Sequence, residues 1–267
     1  MIQSMLFVPG SKPERFAKAL ASGADCVCID LEDAVPRDNK ADARKAAIAA
    51  MGEPRLAIRI NGVKTVDGLL DLLAIESAAM RPHILFVPMV ESAVEIELIR
   101  SILGKIMIVP LIETVLGLRN AHEIASSQGT GMIMFGGGDF SSELGVDLAW
   151  SPLLAARSAF VMAAAGAGIP AMDVPFISLD DPDGLADECK KAKALGFSAK
   201  AAIHPDQIET IHAVFRPTIE QILEAEAAEA AFSEASGAAV RFKGKILEAP
   251  LMRRYRQILS LKGKINA

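Results

Sequence analysis

Eight short apolar runs, each followed by a longer amphipathic stretch, recur along the chain at intervals of roughly 20–35 residues, and this alternation limits the fold more than any other feature. The runs are MLFVP (5–9), CVCIDLE (26–32), RLAIRIN (55–61), HILFVPMV (83–90), KIMIVPLIE (105–113), GMIMFGGGDF (131–140), IPAMDVPF (169–176) and FSAKAAIHP (197–205). Their apolar character is continuous rather than alternating, which strands buried on both faces require. The stretches between them carry helix starts: Ser11 ahead of Pro13 and Glu14, Asp181 ahead of Pro182, and Pro205-Asp206 opening DQIETIHAVF. Eight strand–helix units in 267 residues predict a (β/α)8 barrel, a fold that needs about 250 residues. A doubly wound open sheet would more naturally carry G-x-G-x-x-G after the first strand, and Pro9-Gly10-Ser11-Lys12 stands there instead.

The barrel pattern accounts for residues 1–217. An Ala/Glu-rich helix follows at about 218–236. The last stretch, from Val240 onward, is rich in Arg and Lys, with Glu248 its one acid. Residues 218–267 therefore read as an appendage, a helical lid over the barrel mouth or an arm for oligomerisation. A net charge of −5 argues against a general nucleic-acid binder. No apolar run reaches the ~20 residues that cross a bilayer, and the N-terminus lacks a secretory pattern. Cys26 and Cys28 share one strand face, Cys189 lies far off, and the three form neither a zinc spacing nor a disulfide framework, which points to the cytoplasm.

Catalytic groups of such barrels sit at the C-terminal ends of the strands. Those ends bring Phe7, Asp30, Glu32, Asp33, Arg59, Asn61, Glu91, Glu113, the glycines 136–138 with Asp139, Asp173 and His204 to one rim. Charge at the ends of buried strands needs a partner, a metal or a substrate. Glu113 and Asp139, from adjacent strands, offer hard oxygen ligands that suit Mg²⁺ or Mn²⁺; a cap or an ion pair is the plainer use of either. Arg59 reads equally as an ion-pair partner of a neighbouring acid. The glycines allow positive φ and backbone N–H groups turned onto an anion, or simply a tight turn. His83, His122, His204 and His212 are scattered, and no P-loop or serine-nucleophile elbow is present.

LFVPGSKPERFAKA, ADCVCIDLEDAVP, IRIN, PLIET, FGGGDF and GFSAKAAIHPDQI, in that order over residues 4–215, resemble the citrate lyase β-subunit-like (HpcH/HpaI aldolase/citrate lyase) family of acyl-CoA lyases, which includes malyl-CoA and citramalyl-CoA lyases. The resemblance implies that Glu113 and Asp139 hold Mg²⁺, that Arg59 and the backbone around Gly138 and Asp139 bind an oxo-acid carboxylate, and that Glu32 lies by the metal's water shell. It further implies that Phe7, Lys12 and Lys18 line the entrance for an acyl-CoA, and that the tail serves a neighbouring subunit of a trimer. Relatives carry Asp in a tail motif G-K-x-x-D-x-P as proton donor or acceptor; here GKILEAP puts Glu248 in that place.

The expected reaction is Mg²⁺-dependent cleavage or formation of a 3-hydroxy-3-carboxyacyl-CoA, giving acetyl-CoA and pyruvate, glyoxylate or oxaloacetate, with Arg59, Glu32 and Glu248 as its catalytic groups. Other readings are an acyl-CoA thioester hydrolase, the β subunit of a citrate lyase complex, a pyruvate aldolase, and a metal- or oxo-acid-binding protein without turnover.

Overall fold

A computed structural model describes residues 2–264. Eight parallel strands form a closed barrel in sequence order. They are β1 (Ser4–Pro9), β2 (Cys26–Asp30), β3 (Leu56–Arg59), β4 (Ile84–Val87), β5 (Met107–Ile112), β6 (Ile133–Phe135), β7 (Ala171–Asp173) and β8 (Ala199–Ala202), with β1 paired to β8 to close the ring. Seven strands fall inside the apolar runs, and β1 begins one residue ahead of its run, at Ser4.

The helices of this part are α1 (Phe16–Ala21), α2 (Lys40–Ala49), α3 (Val66–Glu76), α4 (Ala93–Leu103), α5 (Val115–Arg119), α6 (Ala121–Ser126), α7 (Gly137–Leu144), α8 (Trp150–Ala167), α9 (Pro182–Leu195) and α10 (Gln207–Phe215). Local chemistry sets their starts. The Thr65, Ser92, Thr114 and Asp181 side chains each accept a backbone N–H of the first turn. No helix among the described residues is long and apolar enough to cross a membrane.

Alternation along the strands fills the barrel interior. Met5, Cys26, Cys28, Ala57, Phe86, Val109, Leu111, Met134, Met172, Ala199 and Ala201 pack there as one buried cluster. The same parity carries Asp30, Arg59 and Glu113 onto the inward face at the strand ends. It also corrects one expectation. Met172 points inward, so Asp173 faces the helix layer and not the rim. There it accepts from Lys200 Nζ at 2.8 Å and Arg157 Nε at 3.0 Å, and Lys200 also reaches Glu188 at 2.8 Å and the Val174 carbonyl at 2.7 Å. Arg157 lies between the Trp150 and Phe135 rings, 4.8 and 5.4 Å from their centroids.

His212 is a buried packing group, 2.6 Å from Ser4 Oγ, and His204 sits exposed in the turn before α10.

Contacts separate residues 2–212 from a C-terminal unit beginning at residue 213. That unit holds α11 (Ile219–Glu234), opened by a Thr218–Gln221 capping box, a hairpin of β9 (Val240–Phe242) and β10 (Lys245–Leu247), and α12 (Ala249–Ser260). Lys243 and Gly244 make the hairpin turn with φ of 45° and 77°. Ala228, Phe232, Leu247 and Met252 form its core.

Burial pushes the Asp173 carboxyl up, and Lys200 and Arg157 more than reverse this, holding it below the usual carboxylate range. Removing one partner of such a buried pair costs roughly 3–5 kcal/mol, so Lys200→Met is expected to lower unfolding stability by about that much at neutral pH. A folded-state pKa lowered in this way gives stability that is present above the unfolded pKa of about 4 and lost below it. In denaturant unfolding the wild type's share of that stability should therefore be lost only as the pH falls below about 4. A variant as stable as wild type would contradict the role given to this network.

Candidate active site

The register explains how the rim is assembled. Asp30 and Arg59 are cross-strand partners of β2 and β3. Arg59 donates from Nε to Asp30 Oδ1 at 2.6 Å and from Nη2 to Asp30 Oδ2 at 2.7 Å. Its Nη1 lies 2.8 Å from Glu32 Oε2 and 3.5 Å from Asp33 Oδ2, and its flat face stands 4.8 Å from the Phe7 ring centroid. The bidentate edge is thus held by Asp30, in the ion pair with a neighbouring acid that the sequence offered as the plainer reading of Arg59. Nη1 is the nitrogen that Asp30 does not hold, and Glu32 and Asp33 stand beside it.

Glu113 follows Ile112, which pairs with Phe135, so its side chain comes to lie across Gly136. A Cβ at Gly136 would stand 2.1 Å from Glu113 Cγ; glycine is required there for space. Of the two uses the sequence allowed these glycines, close approach is the one found at Gly136 and positive φ is not: Gly136 has φ −95°, and neither Gly137 nor Gly138 is among the positive-φ glycines. The run instead ends β6 and begins α7, whose first-turn N–H groups, Gly138's among them, have no acceptor within the helix. Asp139 sits in that first turn. Across the site, the Met89 N–H donates to Glu113 Oε2 at 2.7 Å from a residue with φ of 54°, a backbone conformation uncommon outside glycine.

The carboxylates lack compensation. Burial pushes the Glu32 carboxyl up to about 9; Arg59 opposes this, and the charges of Glu113, Asp33 and Asp30 add to it. Burial likewise takes Glu113 to about 7 against the pull of the Met89 N–H and Arg59, with Asp139 and Asp33 adding to the rise. Asp139 is raised by burial and then by Asp33. Glu32 Oε2, though close to Nη1, makes no hydrogen bond and is buried. A desolvated acidic cluster with an orphaned oxygen fits a hard divalent cation. Among the described residues no three His, Cys, Asp or Glu side chains form a ready cage. Mg²⁺ does not need one, since it commonly takes one or two carboxylates and leaves its other positions to water and substrate. Glu113 and Asp139 are the side chains that would hold it.

The remaining expected residues are placed differently. Lys12 is exposed in the turn after β1, and Lys18 is exposed on α1. Glu248 belongs to the C-terminal unit, is exposed, and occupies the N-cap of α12 without making a side-chain cap. Two supports went unseen in the sequence. Lys40 Nζ donates to the Leu31 and Glu32 carbonyls and to Asn61 Oδ1, at 2.9, 3.0 and 2.6 Å, and Asp71 Oδ2 accepts from the Asn61 N–H and Nδ2. A lysine at the start of a helix carries no pattern that betrays this use.

A family model described as HpcH/HpaI aldolase/citrate lyase matches residues 3–205. The chain is 34% identical over 258 residues to a (3S)-malyl-CoA thioesterase of Cereibacter sphaeroides, covering 92% of this chain and 89% of that one. It is 30% identical over 293 aligned residues to the mitochondrial citramalyl-CoA lyase of Mus musculus, covering 99% and 87%. The CitE protein of Mycobacterium tuberculosis, solved in complex with magnesium, acetoacetate and coenzyme A, superposes with a TM-score of 0.84 at 32% identity over 98% of both chains.

Gly136→Ala tests the geometry. The φ at this position suits alanine, so the barrel should fold, but the added methyl must displace Glu113. Mg²⁺ at a hundredfold excess over its Kd should raise wild-type stability by about 2.7 kcal/mol, and thermal unfolding of Gly136→Ala should show that rise reduced to near zero. An undiminished rise would remove Glu113 from the cation site.

Proposed function

Because the chain belongs to the HpcH/HpaI aldolase/citrate lyase family, we propose that it is a Mg²⁺-dependent carbon–carbon lyase. Its substrate would be a 3-hydroxy-3-carboxyacyl-CoA of the citramalyl, malyl or citryl kind, released as acetyl-CoA and an oxo-acid. The observation that carries the reading is the uncompensated pair Glu113 and Asp139 beside the Nη1–Nη2 end of Arg59, where Glu32 Oε2 lies 2.8 Å from Nη1. One hard divalent cation would offset the two charges of Glu113 and Asp139.

Glu113 and Asp139 would hold the cation, which would supply Lewis acidity at the oxygens beside the bond that breaks. Arg59 grips the oxo-acid carboxylate through its Nη1–Nη2 end, where two parallel N–H groups match the two oxygens. First-turn N–H groups of α7 at Gly138 and Asp139 add donors to the same anion. Phe7 supports the guanidinium face, and Lys12 and Lys18 supply positive charge for coenzyme A phosphates. Glu32, close to both Arg59 and Glu113 in charge, is assigned to the polar shell around the reacting oxygens. Cleavage leaves a thioester enolate that needs a proton at carbon, and Glu248, uncommitted as a cap, is assigned as its donor. The reading includes a homotrimer and a cytoplasmic location, the latter in keeping with cysteines that are all free and buried.

A thioesterase is the second reading, favoured by the similarity to (3S)-malyl-CoA thioesterases. The products separate the two: a lyase releases an oxo-acid and acetyl-CoA, whereas a hydrolase releases free coenzyme A and a hydroxy acid.

Purified protein with Mg²⁺ and citramalyl-CoA, malyl-CoA or citryl-CoA should form pyruvate, glyoxylate or oxaloacetate. Silence over the whole panel would end the lyase reading. Glu113→Ala and Asp139→Ala should each abolish metal-dependent turnover. Glu248→Gln should lower kcat by about 10²-fold or more while oxo-acid binding persists; full activity would reassign the proton transfer.

A further inference from the structure

Asp30 is more enclosed than any other acid at the rim, and no step above uses it. Its side chain is buried, as is that of Arg59. Its carboxylate accepts four hydrogen bonds: from Arg59 Nε and Nη2 at 2.6 and 2.7 Å, from the Glu32 N–H at 2.9 Å and from the Ala34 N–H at 3.0 Å. A carboxylate offers about four acceptor sites, so Asp30 has none left for a ligand or a metal. Whatever it contributes passes through the groups it holds. Those groups are the arginine and the loop that carries Glu32 and Asp33.

We propose that Asp30 is a positioning residue for recognition of the oxo-acid: it closes the Nε–Nη2 edge of Arg59 so that the Nη1–Nη2 end faces the substrate carboxylate, and it fixes the loop 31–34 to the same anchor. The inference rests on the lyase reading. A guanidinium presents two carboxylate-shaped edges, and its torsions would otherwise let either one turn toward the acids around it. Nη1 already lies 2.8 Å from Glu32 and 3.5 Å from Asp33, so the substrate carboxylate must compete with Glu32 for that nitrogen, and an arginine released by Asp30 would bring its second nitrogen onto those acids as well. The Phe7 ring fixes the plane of the group, Asp30 fixes its rotation within that plane, and Lys40 secures the loop from the other side through the Leu31 and Glu32 carbonyls.

The test is kinetic, in the condensation direction, with full-length protein, Mg²⁺, acetyl-CoA and whichever of pyruvate, glyoxylate and oxaloacetate the wild type accepts. Asp30→Asn keeps the shape and removes the charge that holds the fork. Its oxo-acid KM should rise about tenfold or more, with kcat within about threefold of wild type. The acetyl-CoA KM and the Mg²⁺-dependent rise in Tm should stay within about twofold. An unchanged oxo-acid KM overturns the inference. So does a parallel loss of the acetyl-CoA and Mg²⁺ parameters, which a merely structural ion pair would give. Asp30→Glu, which keeps the charge but pushes the guanidinium outward, covers the case in which the asparagine variant does not fold; it too should raise the oxo-acid KM selectively, and a wild-type value there overturns the proposal. Wild type that accepts no oxo-acid at all refutes the lyase reading itself, and the role of Asp30 falls with it.

Discussion

Glu32, Glu113, Asp139 and Asp33 are carboxylates whose charges reach one another at the mouth of an apolar barrel, and the Arg59 guanidinium, already committed along one edge to Asp30, does not balance them. Placing several anions together in a partly dry site costs several kcal/mol per uncompensated group. A fold keeps such a cost where function requires it. The rest of the architecture makes sense as the means of holding that imbalance still: a close-packed interior below it, a glycine where a methyl would evict Glu113, and a backbone N–H from a residue at positive φ directed at one Glu113 oxygen.

Separate supports hold the two halves of the site. Glu113 and Asp139 depend on β5, β6 and the start of α7, with Met89 reaching across from the end of β4. Arg59 and Glu32 depend on β2, β3 and the loop after β2, tied together by Asp30 and Lys40. Opposed charge is handled differently in the helix layer, where Asp173, Lys200, Arg157 and Glu188 pair closely. Charge in that layer is matched, and charge at the barrel mouth is left open for a cation and a ligand. This contrast separates the structural network from the functional one more clearly than burial does.

Much of this was legible from residue order. All eight strands coincide with the continuous apolar runs, β1 starting one residue early at Ser4, because buried parallel strands leave that mark, and the rim acids other than Asp173 followed from where those runs end. Other features depend on parity and register, which an apolar run does not encode. Asp173 looked like a rim acid until the alternation in a three-residue strand turned it outward. The use of Arg59's fork by Asp30 depends on β2 and β3 being in register. Gly136–Gly138 suggested unusual backbone, whereas the reason for Gly136 is the Glu113 side chain crossing it. The C-terminal hairpin rests on two very short strands, too short to show a period, and Lys243-Gly244 was its one local signal.

Diffraction from crystals grown with Mn²⁺ and pyruvate, with the metal located by its anomalous signal, would read the cation and the oxo-acid in one experiment. One peak is expected within bonding reach of both Glu113 and Asp139, with the pyruvate carboxylate on the Nη1–Nη2 end of Arg59 while Asp30 keeps the other edge. A metal bound away from those two carboxylates, or pyruvate elsewhere with Arg59 turned from the site, would contradict this placement.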